Sequence, residues 1–162
     1  MSEPIRMSAA LDGEIVNGRH TLAVRVYYED TDFSGIVYHA SYLRFMERGR
    51  TNYLRLVGAD HRAMFEAAEA HAPGFFFVVR SMTIDWLKPA KMDDVLEIVT
   101  TPEEVRGASL ILLQQCRRGA ELLVEAHVRV AFVSGGRARP LPEPLRIALT
   151  ADRDLTTRHG RA

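Results

Sequence analysis

The sequence predicts a single α+β domain in which an antiparallel sheet receives a long amphipathic helix against its buried face. Three observations predict it. Residues 40–57 carry apolar or small side chains at helical spacing. From residue 75 onward the period shortens to the two-residue alternation of strands. The connections between the later strands are short, as antiparallel neighbours allow. A length of 162 residues suits one such domain with a real core.

Residues 1–20 mix Gly, Ser, Asp, Asn and Pro without periodicity and read as a flexible N-terminal extension outside the core. The domain proper is expected to span 21–150, with 151–162 as a C-terminal tail. Residues 22–28, rich in Val and Tyr, read as a strand that ends in the acidic loop EDTDFSG. The long helix follows. Its apolar stripe is Tyr42, Phe45, Met46, Gly49, Tyr53, Leu56 and Val57, and Arg44, Arg48, Thr51 and Arg55 mark its polar face. Gly58 is the expected stop, and Asp60 the expected cap of a shorter helix that ends at Pro73 and Gly74.

Residues 75–87 form a run long enough to require a bend or bulge, with Met82, Ile84 and Trp86 alternating against Ser81, Thr83 and Asp85. Strands are expected at 95–101 and 109–116, and Arg118 and Gly119 turn the chain into the cleanest alternation in the sequence. There Val124, Ala126, Val128, Val130 and Phe132 share one face, and Glu125, His127 and Arg129 the other. Short connections imply a meander of consecutive strands. RPLPEP then ends the regular strands, leaving a short helix and a frayed end.

Composition excludes several classes. Lys plus Arg number 21 and Asp plus Glu number 21, so no global field draws the chain to nucleic acid or an anionic surface. Cys116 is the single cysteine, which rules out an internal disulfide or a cysteine zinc cluster and fits a reduced, cytoplasmic setting. The N-terminal residues do not resemble a secretory signal, and the longest apolar runs are far shorter than the roughly 20 residues a spanning helix needs.

The chemistry concentrates in VRVYYEDTDFSGIVYH, residues 24–39. It joins carboxylates on a loop, a glycine that lets a backbone approach closely, and a helix start directly afterwards. Unpaired N–H groups at a helix start can hold a thioester oxygen as it becomes an oxyanion. A neighbouring carboxylate can attack the carbonyl carbon or act as general base toward water. On residue types alone, the same acidic loop reads equally as a solvated turn or a helix cap. Asp30 and Asp32 share a DxD spacing that could take a divalent cation, but no third ligand is evident, and no metal or organic cofactor is expected. GxSxG is absent, against a serine hydrolase.

VRVYYEDTDFSGIVYHASYLRFMERGRTNYLR resembles the signature of the Tol-Pal-associated (YbgC-type) acyl-CoA thioesterases, grouped with the hydroxybenzoyl-CoA thioesterases. FFFVVRSMTIDWLKPAKMDDVLEI and VRGASL continue the likeness, which covers about residues 22–132. The resemblance implies a hot-dog fold, an antiparallel sheet wrapped around a long central helix. It implies active sites at a dimer interface, often within a dimer of dimers (a homotetramer). It also implies an acyl-CoA substrate hydrolysed to acid and free CoA. The alternative is a non-catalytic acyl-CoA-binding protein at an inner-membrane envelope (Tol-Pal) assembly.

The resemblance also assigns roles. Asp32 matches the catalytic carboxylate, His39 the position opening the central helix, and Tyr28 a tyrosine beside the carboxylate. On residue types alone His39 is also a capping or interface histidine and Tyr28 a core aromatic. Arg106 corresponds to a basic turn that contacts the nucleotide of CoA, and Lys88 and Arg80 are further cationic candidates. Residues 75–79 are candidates for lining the acyl pocket. Phe33 stands where relatives carry a smaller residue or proline, so a reshaped pocket is expected there.

Overall fold

The computed structural model describes residues 11–60 and 62–160. In chain order the strands are β1 (Glu14–Val16), β2 (Arg19–Arg25), β3 (Phe76–Trp86), β4 (Val95–Val105), β5 (Ser109–Arg118), β6 (Glu121–Ser134) and β7 (Arg137–Ala138). The helices are α1 (Ser41–Asp60), α2 (Arg62–His71) and α3 (Glu143–His159). Every strand pair is antiparallel, and all seven strands form one sheet in the order β1-β2-β4-β5-β6-β3, with β7 beside β6.

The alternation read in β6 is the core-facing pattern. Val124, Ala126, Val128 and Phe132 are at most 1% exposed, while His127 and Arg129 face solvent. Register carries the pattern across neighbours: Leu110 and Leu112 of β5 stand opposite Val130 and Val128, and Val79 and Met82 of β3 stand opposite the same two residues. α1 lies on this face. Its expected stripe is buried at Tyr42, Phe45, Met46, Tyr53 and Val57. Truncating any one of these large side chains to Ala costs about 2–5 kcal/mol, since interiors relax only partly around a cavity.

Gly49 lets α1 sit this close. A Cβ there would lie 2.9 Å from Ile98 Cγ2, 3.0 Å from Thr100 Oγ1 and 3.1 Å from Gln114 Nε2. Gln114 is fully buried and ties helix to sheet, donating to the Met46 carbonyl at 2.9 Å and to Thr100 Oγ1 at 2.8 Å.

Several expectations are corrected. Of the supposed N-terminal extension, residues 14–16 and 19–20 are strand, and His20 is fully buried. β1 pairs back on β2, and that pairing satisfies backbone groups which the polar composition had suggested were left to water. The strand read as 22–28 ends at Arg25, so Tyr28 falls in a 3-10 turn, Tyr28–Asp30. Gly58 does not stop α1, which continues to Asp60. The meander of consecutive strands runs from β4 through β7 but does not include β3, which pairs with β6 at the far edge while β2 lies beside β4. The supposed tail from residue 151 is the second half of α3. That helix buries Leu145 and Leu149, and its Asp152 accepts the Tyr53 hydroxyl at 2.7 Å.

Other expectations are met. The bulge foreseen in the long third strand lies between Val79 and Ser81. A second bulge, in β4, accommodates Pro102, which cannot donate to a ladder. Residues 1–10 lie outside the described residues, as do the side chains of 59–65.

Because β3 and β4 are three strands apart in the sheet, the eight-residue link between them, 87–94, crosses the mouth of the curved sheet. Ala90 in that link is fully buried, and its N–H donates to the Tyr42 hydroxyl at 3.0 Å. The link is the platform on which the acidic loop rests.

Candidate active site

The loop from Val26 to Ala40 is sewn to this platform by backbone hydrogen bonds. Val26 N–H donates to the Asp94 carbonyl at 2.9 Å and Asp93 N–H to the Val26 carbonyl at 3.0 Å. Further along, Val37 N–H donates to the Ala90 carbonyl at 2.9 Å. Asp30 spends its carboxylate locally, with Oδ2 accepting the Tyr27 N–H at 2.8 Å, so it structures the turn. A tight reversal follows, in which Asp32 N–H donates to the Ile36 carbonyl at 2.9 Å and Gly35 N–H to the Asp32 carbonyl at 3.0 Å. Gly35 has φ +82°, a conformation that favours glycine.

Asp32 stands at the tip of this reversal, exposed to solvent. Its Oδ1 accepts both the Ser34 hydroxyl at 2.7 Å and the Ser34 N–H at 2.8 Å. Those two donors, the hydroxyl first, hold the carboxyl below its ordinary range, and the nearby His39 adds to the effect. Among the described residues nothing hydrogen-bonds to Oδ2. The result is an ionised carboxylate with one oxygen anchored and the other open, suited to a nucleophile or base rather than an acid.

His39 lies just ahead of α1, whose first turn is marked by Ser41 N–H donating to the Tyr38 carbonyl at 2.8 Å. The N–H groups of His39 and Ala40 have no partner among the described residues. Trp86, at the end of β3, clamps this turn: its Nε1–H donates to the His39 carbonyl at 3.1 Å, and the two rings meet edge to face at 5.7 Å. Ile36, His39, Tyr42, Trp86, Leu87 and Lys88 line a cleft of about 260 Å³ beside the helix start. The structure thus brings Asp32, His39 and Lys88 to one end of the molecule. Lys88 there pairs with Glu121 at 3.4 Å.

The other candidates are placed differently. Tyr28 is 82% exposed, neither a core aromatic nor hydrogen-bonded through its hydroxyl to Asp32. Arg80 sits at the β3 bulge, about 20 Å of strand from Trp86 at roughly 3.3 Å per residue. Arg106 lies beyond the far end of the 11-residue β4, about 35 Å of strand path from the loop, and pairs with Glu104 at 2.8 Å. Phe33 is fully exposed, so within one chain it does not fill the cleft. Sequence reasoning missed Ser34, Trp86 and Tyr42 as site-building residues. Only Ser34 had a local signal, since a serine two residues after an aspartate is an Asx-turn pattern.

The profile of the thioesterase-like superfamily matches residues 26–149. The acyl-CoA thioesterase YbgC of Haemophilus influenzae is 42% identical over 121 residues, which cover 75% of this chain and 85% of that protein. The chain belongs to the YbgC-type acyl-CoA thioesterases. The acyl-CoA thioester hydrolase YbgC of Escherichia coli O157:H7 is 43% identical over 122 residues, 75% of this chain and 87% of that protein. Among solved structures, a probable thioesterase from Bartonella henselae superposes with a TM-score of 0.65 at 40% identity, covering 76% of this chain and 98% of that one. With the family goes its fold: the curved antiparallel sheet around α1 is a hot-dog fold. Among the described residues of this YbgC-type chain, no helix is long and apolar enough to cross a membrane.

Proposed function

We propose that the chain hydrolyses acyl-CoA thioesters, with Asp32 as the attacking or proton-accepting carboxylate and the N–H groups at the start of α1 holding the thioester oxygen. The observation that carries this reading is the anchored, ionised Asp32, with a free Oδ2, next to unpartnered helix-start N–H groups. As the carbonyl carbon becomes tetrahedral, its oxygen gains negative charge, and N–H donors fixed by the Trp86 clamp stabilise that charge without reorganising.

Two routes balance. In one, Asp32 Oδ2 bonds to the acyl carbon, the C–S bond breaks, CoA leaves as thiolate, and water then splits the mixed anhydride. In the other, Asp32 removes a proton from water as the water oxygen bonds to the acyl carbon, and the proton ends on the departing thiolate. Single turnover in 18O-labelled water reports the first route when label enters the Asp32 side chain, which follows from water attacking the Asp32 carbonyl carbon of the anhydride; the second route never labels Asp32.

Purified protein is expected to release free thiol from acyl-CoA, and Asp32→Asn to lower kcat about a hundredfold or more. An Asp32→Asn variant as active as the parent sinks this assignment. His39 is proposed to help orient the thioester, and Lys88 to meet the phosphates of CoA.

The reading includes a homo-oligomer, a dimer or dimer of dimers. β3 leaves one edge unpaired, and Trp86 and Phe33 stand exposed beside a shallow site that a second copy would deepen. Arg106, Arg80 and Tyr28 would then serve a site shared between copies, and native mass spectrometry tests the assembly. A cytoplasmic location is supported by the single cysteine, Cys116, and cell fractionation tests it; association with a Tol-Pal envelope assembly rests on the family resemblance, and co-purification with solubilised envelope tests it.

A further inference from the structure

The cleft beside His39 and a second cavity lie at the two ends of the strip where α1 passes the edge strand β3. The two elements run in opposite directions. Trp86 of β3 contacts His39 at the start of α1, and Phe77 and Val79 face Arg50 and Leu54 further along the helix. Between these points Met82 and Ile84, half-buried on the same face of β3, continue the apolar wall. The second cavity, of about 180 Å³, lies between α1 and the sheet, walled by Leu54, Phe77, Leu110, Leu112 and Val130.

This apolar end holds two charged side chains, Glu47 and Arg50. Arg50 is half-buried and spends one of its five N–H donors on Gln114 Oε1, at 2.9 Å. Its other donors have no partner among the described residues. Glu47 accepts the Thr51 hydroxyl through Oε1, and its Oε2 is uncommitted among the described residues. Exposed Glu47 and half-buried Arg50 thus bring spare acceptor and donor capacity to the edge of an apolar cavity. Nothing in hydrolysis at Asp32 uses it.

We infer that this cavity binds the far end of the acyl group and selects acyl-CoAs that carry a hydroxyl remote from the thioester. The inference rests on the thioesterase reading of the same site. A hydroxyl satisfies both groups, accepting from Arg50 and donating to Glu47. A terminal carboxylate would meet Arg50 but be repelled by Glu47. A plain methyl end would strip water from the guanidinium and return nothing, and sites built to bond a substrate hydroxyl reject analogues that lack it strongly. The helix sets the length. Glu47 and Arg50 lie six and nine residues beyond Ser41, about 9 and 14 Å along the axis at 1.5 Å per residue. The selected substrates are therefore medium-chain hydroxyacyl-CoAs. A single aromatic ring attached at the thioester ends short of the pair.

The test is thiol release by the full-length protein from matched C8 to C12 acyl-CoAs ending in methyl, hydroxyl or carboxylate, with hydroxybenzoyl-CoA as a short control. The expected result is a kcat/KM at least tenfold higher for the terminal hydroxyl than for the methyl chain of equal length. Arg50→Met is expected to bring that ratio to about one, and Glu47→Gln to raise the carboxylate-ended chains relative to both. Equal rates for hydroxyl and methyl chains in the parent protein overturn the inference, as does an undiminished ratio in Arg50→Met. Should Arg50→Met fail to fold, the parent ratio and Glu47→Gln still decide. Absence of thiol release from every substrate would instead refute the thioesterase reading, so the two failures are distinguishable.

Discussion

Gly49→Ala sets two effects of known size against each other. Alanine is the better helix former by about 1 kcal/mol in a helix interior, so intrinsic propensity favours the change. Packing opposes it. The added Cβ would meet Ile98 Cγ2 at 2.9 Å, Thr100 Oγ1 at 3.0 Å and Gln114 Nε2 at 3.1 Å. None of the three can yield cheaply. Ile98, Thr100 and Gln114 are all fully buried, the first two are β-branched and stiff at χ1, and Gln114 is tied to Met46, Thr100 and Arg50. Overpacking of this kind costs about 1–3 kcal/mol, and strained Gln114 hydrogen bonds add about 1 kcal/mol. The net expectation is a loss of about 1–3 kcal/mol, which lowers Tm by about 2–4 °C per kcal/mol in a chain of this length. Thermal unfolding followed by circular dichroism reads it. Since α1 must also lift from the sheet, its start shifts relative to Asp32, and kcat in the thiol-release assay should fall with it. A Gly49→Ala protein as stable as the parent, or more so, would refute the close-approach argument.

Removing the Ser34 hydroxyl with Ser34→Ala takes away the largest influence holding the Asp32 carboxyl low, so its pKa rises toward the ordinary carboxylate range. In the proposed mechanism the ionised form is the active one, so the acid limb of the kcat/KM profile moves to higher pH, and an unmoved limb contradicts the assigned role of Ser34. Trp86→Phe keeps a ring against His39 but loses the Nε1–H donor to its carbonyl. Tm should change little, by about 1 kcal/mol of stability or less, while kcat drops several-fold; equal kcat would show that the clamp does not position the helix start. Cys116 is fully buried and its thiol is pushed up to about 12, so dithionitrobenzoate should label it only after unfolding. Rapid labelling of the native protein would contradict that burial.

Local patterns carried much of the fold. The stripe from Tyr42 to Val57 and the alternation from Val124 to Phe132 each report which side of one element is buried, and burial is written into the period of that element. The bulge near Arg80 was foreseeable because eleven residues exceed the usual strand. Errors came where partners are distant. Residues 14–20 look like a polar leader until β2 finds β4, and the chain from 151 onward looks like a tail until Leu149 and Asp152 meet the core and Tyr53.

The site divides the same way. Asp32, His39 and the helix start, the proposed catalytic groups, occupy one short stretch, so sequence and family resemblance together could point to them. That Asp32 presents Oδ2 because Ser34 occupies Oδ1, and that Trp86 holds His39 from 47 residues away, are facts of three-dimensional packing.

By itself the sequence determined the element types, the buried face of α1 and of β6, and the loop on which the chemistry would stand. These follow from side-chain periodicity and turn chemistry within a few residues. Only the tertiary structure decided that β3 lies at the sheet edge beside β6. With that placement the 87–94 link passes the start of α1, Trp86 meets His39, and Phe77 and Val79 of β3 line the cavity at Arg50. Strand order is chosen by many weak pairings between residues far apart in the chain, and no single segment records their sum.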